Sequence, residues 1–200
     1  MAGYSLLSLG DSYTIGEQVA MKDNFPNQTV SMLRQAGFEF IDPEIVAKTG
    51  WTTDELQEAI NQHQFKSSYD FVTLLIGVNN QYRGRPVNNY KIEFESLLKQ
   101  AIKFAGGQAD HVVVLSIPDW GITPFAKGRD NKKIAEEIDD YNSVNKKITT
   151  IHHVHYIDIT PFTREAASDS SLLTTDGLHP SGKDYQRWAE KVAEWIRGKF

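Results

Sequence analysis

Short apolar runs alternate along the chain with stretches in which apolar side chains recur every three or four positions. The runs are Tyr4–Leu9, Glu44–Lys48, Phe71–Gly77, His111–Ile117 and Val154–Ile159. Each is rich in Val, Ile or Leu and nearly continuous in apolar character, the pattern of parallel strands buried on both faces. Glu44–Lys48 carries it least clearly.

Helical periodicity fills the intervals. Asn24-Phe25-Pro26 opens a helix that stops at Gly37, with proline in its first turn. Thr52-Thr53-Asp54-Glu55 reads as a capping box, with Leu56, Ile60 and His63 following on one face. Val87, Tyr90, Phe94, Leu97, Leu98 and Ala101 repeat at helical spacing up to Gly106-Gly107. Ile134, Ile138, Tyr141 and Ile148 mark a fourth helix, and Tyr185, Trp188, Val192, Trp195 and Ile196 a fifth. Stripes of this kind are core faces rather than cofactor contacts.

Strands alternating with helices in this way predict an α/β fold. We expect a three-layer α/β/α sandwich around a five-stranded parallel sheet, with right-handed crossovers and a flavodoxin-like strand order of 2-1-3-4-5. No linker, repeat or low-complexity tract breaks the pattern, so residues 1–200 are expected to form one domain.

Composition narrows the function. With 200 residues, 40% of them hydrophobic, the chain can build a substantial core. A net charge of −5 argues against the concentrated basic face of a nucleic-acid-binding protein. No stretch approaches the roughly 20 apolar residues of a membrane span. The absence of cysteine excludes disulfides, thiolate nucleophiles and Cys-ligated zinc. The first strand begins by about Tyr4, which leaves no room for a signal peptide, so a cytoplasmic location is expected. A mature secreted or periplasmic chain that had lost its leader would read the same.

In open α/β sheets, ligands bind outside the carboxyl ends of the strands. There the sequence offers Gly10-Asp11-Ser12, Thr49-Gly50-Trp51, Gly77-Val78-Asn79-Asn80, Pro118-Asp119-Trp120 and, past Thr160-Pro161, the loop holding Asp176 and His179. These residues suit covalent hydrolysis. Ser12 is a nucleophile once its proton is removed, His179 can remove it near neutral pH, and Asp176 can fix the His179 tautomer. The backbone N–H groups of Ser12 and Gly50 and the Asn79 amide are candidate donors to an oxyanion. Each residue also has a plainer reading. Ser12 and His179 can cap the helices that follow them, Asp176 and Asn79 can stabilise turns, and Gly50 can reverse the chain.

Taken together, Gly10-Asp11-Ser12, Gly50, Gly77-x-Asn79 and Asp176-x-x-His179 resemble the four blocks of the SGNH (GDSL-type) hydrolase family, in the family's order and across almost the whole chain. The resemblance implies an ester hydrolase acting through an acyl-enzyme, with no required metal or cofactor and a small-molecule ester as its partner. The family includes esterases, lysophospholipases, thioesterases and carbohydrate deacetylases. One position departs from it: Asn80 stands where the family usually has Asp. From a different class, a non-catalytic carbohydrate- or lipid-binding module on the same scaffold is the competing expectation.

Candidate substrate contacts are Asp11, Tyr82, Arg83, Trp120, Ile122 and Phe125, of which Asp11 also reads as a turn-supporting hydrogen-bonding residue. Trp120 to Phe125 is apolar enough to act as a flap, and Tyr82, Arg83 and Arg85 can meet a polar portion of the substrate. His152, His153 and His155 suggest a metal, but a helix end leading into a strand on the far side from the active rim fits better. Asp158 is expected to fix the end of the fifth strand. Gly177-x-x-x-x-Gly182-Lys183 matches a phosphate-binding loop only superficially, since Asp184 replaces Ser or Thr and no strand precedes it. No G-x-S-x-G elbow of the lipase type occurs.

Overall fold

The computed structural model describes residues 3–200. Strand β1 (Leu6–Asp11) runs into a single helical turn, α1 (Ser12–Ile15), and then α2 (Phe25–Gln35). Next come β2 (Glu44–Lys48) with α3 (Thr53–Gln62), and β3 (Phe71–Leu75) with the short α4 (Val78–Tyr82) and the long α5 (Val87–Phe104). Strand β4 (Val112–Leu115) leads to α6 (Asn131–Ile151), and β5 (His155–Ile157) to α7 (Thr160–Arg164) and α8 (Gly182–Arg197).

The sheet is parallel throughout, in the order β2-β1-β3-β4-β5, as the alternation predicts. The chain steps one way from β1 to β2 and the other way for every later strand. Right-handed crossovers therefore send α2 to one face and α3, α5 and α6 to the other. Accordingly α2 packs on α8, while α5 lies between α3 and α6. Strands β1, β3 and β4 are buried along their whole length, which explains their continuous apolar sequence. The edge strands β2 and β5 are only partly covered, hence their mixed composition.

The main departures lie at strand ends. Strand β1 starts at Leu6, with Tyr4 held only by an isolated bridge to Phe40, and it continues to Asp11. Strand β3 stops at Leu75, because the chain turns at Gly77 (φ +133°) into α4. Ser12 and Asn79 consequently sit in the first turns of short helices rather than in open loops. Gly10 permits this sharp entry, since a Cβ there would lie 2.1 Å from Thr14 Oγ1 and 2.5 Å from the Leu75 carbonyl.

The histidines of the fourth crossover serve the fold separately. His152 ends α6 and bonds Glu95 at 3.0 Å, His153 takes φ +56° in the turn, and His155 stacks on Trp195 at the amino end of β5. His63 does not continue the Leu56–Ile60 face but terminates α3, where it pairs with Glu44 at 2.8 Å. Asp158 accepts from Ser116 Oγ and Thr160 N, closing the end of β5 as expected.

Candidate active site

Two segments, α1 and the loop before α8, deliver a serine, a histidine and an aspartate to one cleft at the carboxyl rim of the sheet. Ser12 opens α1, whose entry is capped by Asp11 accepting from Tyr13 N at 3.0 Å. His179 and Asp176 come from the loop before α8, which Thr174 N→His179 O (2.8 Å) and the Leu173–Pro180 bridge fold back on itself. Gly177 makes that loop's reversal at φ +65°. His179 Nε2 lies 3.0 Å from Ser12 Oγ, and His179 Nδ1 lies 2.6 Å from Asp176 Oδ2. Although 167 positions apart in sequence, Ser12 and His179 meet within hydrogen-bond reach, and both are buried.

Electrostatics define the proton positions. Burial pushes Asp176 up, but the His179 ring, the His179 and Leu178 N–H groups and the Thr174 hydroxyl outweigh it and hold the carboxyl down at about 2. An ionised carboxylate can only accept, so His179 Nδ1 carries the hydrogen and Nε2 is left to accept from the Ser12 hydroxyl. Proton transfer from Ser12 to His179 needs no rearrangement of these three side chains.

Opposite Ser12, the loop after β2 turns at Gly50 with φ +83°, a conformation favouring glycine. Space is not the reason for glycine here: a Cβ would meet nothing closer than Arg83 Nη2 at 3.7 Å. Asn79 Nδ2 donates to the Trp51 carbonyl at 3.0 Å and reaches Asp11 Oδ2 at 3.4 Å. Asn80 has a different task. It is fully buried, accepts from Thr53 N at 3.1 Å and donates to Thr53 Oγ1 at 2.6 Å, thereby pinning the start of α3.

The cleft holds about 160 Å³ and is mostly apolar. Its far wall is an aromatic triangle of Tyr82, Trp120 and Phe125, with ring centroids 5.1 to 6.2 Å apart. Trp120 is a fixed wall and not a flap, being 4% exposed with Nε1 bonded to Gln81 Oε1 at 2.7 Å. Phe125 and Tyr82 stay exposed, and Phe125 N donates to Gly177 O at 3.1 Å, tying the aromatic loop to the His179 loop. The Arg129 guanidinium braces the wall, 5.2 and 5.3 Å from the Tyr82 and Trp120 rings.

Three of the expected substrate contacts do not line the cleft. Asp11 is sealed beneath it at 1% exposure, where burial pushes its carboxyl up to about 7 against the lowering effect of Tyr13 N–H and Asn79. Ile122 belongs to a 3-10 turn whose tight geometry presents Trp120 to the cleft and directs Ile122 elsewhere. Arg83 turns to the Gly50 loop, donating to Gly50 O at 2.6 Å and pairing with Glu55 at 3.1 Å. Arg85 is likewise committed, to Asp54. Sequence reasoning missed Tyr13, Val78 and Leu178, which also line the cleft. Each adjoins a motif residue, and adjacency was the only available signal. Tyr13 packs against the His179 ring at 5.1 Å between centroids.

A family model for the GDSL-like Lipase/Acylhydrolase family matches residues 8–187, so the chain belongs to that family and is an ester-bond hydrolase. Among solved structures it is similar to a lipase/acylhydrolase from Enterococcus faecalis (20% identity, 98% of this chain and 96% of that one, TM-score 0.76). It is also similar to Axe2, an acetylxylan esterase from Geobacillus stearothermophilus (18%, 98% and 94%, 0.76). A third similar structure is the psychrotrophic esterase EstA from Pseudoalteromonas sp., inhibited by monoethylphosphonate (16%, 97% and 97%, 0.70). At these identities the structural likeness speaks for the fold. No curated protein matches the chain by sequence. No described helix is long and apolar enough to cross a membrane.

Proposed function

We propose that the chain is a serine esterase for carboxylic esters with a small acyl group, working through a covalent acyl-enzyme. Ser12 attacks the ester carbonyl while His179 takes its proton. Asp176 holds the imidazole and stabilises its charged form. The tetrahedral oxyanion is received by the N–H groups of Ser12 and Gly50 and by the Asn79 amide hydrogen that otherwise reaches Asp11 at the longer distance of 3.4 Å. His179 then returns the proton to the departing alkoxide, and a water activated by the same imidazole releases the acid and restores Ser12. The observation that carries this reading is the unbroken line from Ser12 through His179 to Asp176, at 3.0 and 2.6 Å.

The size of the cleft supports a small acyl group. An apolar cavity of about 150 Å³ takes a benzene-sized ligand, and this cleft is comparable. Long-chain lysophospholipids fit such a slot poorly. Sugar acetates remain a second reading, favoured by the likeness to an acetylxylan esterase and by the small acyl group such a substrate presents. A series of p-nitrophenyl esters tests acyl size. Turnover should be greatest with acetate and fall steadily from butyrate to decanoate. A rate that climbs with chain length contradicts the small-acyl reading, and no turnover of any ester contradicts hydrolysis itself.

Gly50 can be tested separately. At φ +83° an alanine is strained by about 1–2 kcal/mol, and relief of that strain moves the donor N–H. Gly50→Ala should lower Tm by a few degrees and kcat at least tenfold, approaching the roughly 10²- to 10³-fold cost of losing one oxyanion donor outright. Full activity in a variant with lowered Tm would remove Gly50 from the oxyanion site.

A further inference from the structure

The two donors assigned to the oxyanion besides Ser12 N–H belong to different elements, and one helix face joins them. Asn79 and Arg83, four residues apart on α4 and its C-cap, grip consecutive carbonyls of the β2–α3 loop. Asn79 Nδ2 holds Trp51 O at 3.0 Å, and Arg83 Nη2 holds Gly50 O at 2.6 Å. Between them, Asn80 clamps Thr53, the first residue of α3, where the same loop ends. The Arg83 guanidinium is itself steadied by Glu55 at 3.1 Å, whose other oxygen accepts from Thr52 N at 2.9 Å.

Gly50 needs such a restraint. Glycine in the left-handed region is also free to leave it, and among the described residues, its chain neighbours aside, no other side chain comes within 4 Å of where a Cβ would stand. A charge-assisted hydrogen bond to its carbonyl, together with Trp51 N donating to Lys48 O at 3.2 Å, fixes the Gly50–Trp51 peptide. That limits the φ and ψ rotations through which Gly50 could swing the N–H of its preceding peptide away. We propose that Arg83 is a positioning residue for the oxyanion site, locking the Gly50 N–H and the Asn79 amide into one rigid unit through its bond to the Gly50 carbonyl. The proposal rests on the assignment of Ser12, Gly50 and Asn79 made above.

Because Arg83 acts through the donors that meet the charge formed in the transition state, its loss lowers kcat and leaves KM nearly alone. Steady-state kinetics on p-nitrophenyl acetate and the rate of fluorophosphonate labelling are measured for wild type, Arg83→Ala, Arg83→Lys and Glu55→Gln. Arg83→Ala should lose about tenfold to a hundredfold in kcat, less than outright loss of an oxyanion donor, with KM within about twofold and labelling slowed in parallel. Arg83→Lys should keep part of the rate, and free guanidinium ion should restore part of it to Arg83→Ala. Glu55→Gln, which removes the ion pair but keeps the Gly50 contact, should lower Tm with a much smaller effect on kcat.

A raised KM at normal kcat in Arg83→Ala makes Arg83 a substrate contact and overturns the proposal. An equal kcat loss in Glu55→Gln, with no guanidinium rescue, reduces Arg83 to general support of the loop and also overturns it. Wild-type protein that neither turns over ester nor labels would instead defeat the parent assignment, so the two failures are distinguishable.

Discussion

Replacing Ser12 by alanine should abolish turnover of p-nitrophenyl acetate while leaving the protein folded. The variant removes the one atom that forms the covalent bond. Losses on removing a nucleophile of this type are about 10⁶-fold in kcat. What remains comes from binding and from the oxyanion donors. The fold should tolerate the change. Among the described residues Ser12 Oγ bonds only His179, and the turn it opens is capped by Asp11. Retained turnover by a folded Ser12→Ala protein would refute the assignment of the nucleophile.

The second large effect is expected at Asp176. Asp176→Asn keeps shape but replaces a pure acceptor with a group that can donate, so Nδ1 no longer has to carry the hydrogen. The wrong tautomer then presents an N–H to Ser12, and kcat should fall about 10³- to 10⁴-fold. Stability should change with a definite sign. The Asp176 carboxyl is held below its ordinary 3.8, at about 2. Its contribution is therefore present above the unfolded value and lost as pH falls through the folded one. Asp176 is exposed to solvent, so screening reduces the stability carried by this shift to about 1 kcal/mol. Wild type should accordingly unfold at higher temperature than Asp176→Asn at pH 7, with the gap narrowing between about pH 4 and 2. Thermal unfolding across that range checks the sign. A gap that widens on acidification would contradict the hydrogen-bond network assigned to Asp176.

The sheet was legible because its central strands are buried on both faces and therefore carry nothing but apolar residues and small polar ones. Helices α2, α3, α5, α6 and α8 were legible through their stripes and, for α3, through the Thr52–Glu55 capping box, present as expected. The turns α1, α4 and α7 were not. Four or five residues hold too little periodicity to show, and yet α1 and α4 carry Ser12 and Asn79. The convergence of Ser12, His179 and Asp176 could be read from strand-end logic alone. The cleft wall was harder to read. Tyr82, Trp120 and Phe125 were found because they are aromatic and sit near rim motifs. Ile122 was misassigned because a 3-10 turn separates neighbours that an extended flap would have kept together. Arg83 was misassigned for a different reason: a charged residue beside a motif looks like a substrate contact until its partners, Gly50 O and Glu55, are known. The substitution at Asn80 also became intelligible only in three dimensions, as the residue that holds Thr53.

Ester hydrolysis here depends on the Ser12 oxygen being made nucleophilic by an imidazole brought from the far end of the chain. Fluorophosphonate labelling followed by peptide mass mapping reads this directly. Wild type should carry one adduct, on the peptide containing Ser12, and His179→Ala should acquire it far more slowly. An adduct on another residue, or equal labelling rates with and without the His179 ring, would contradict it.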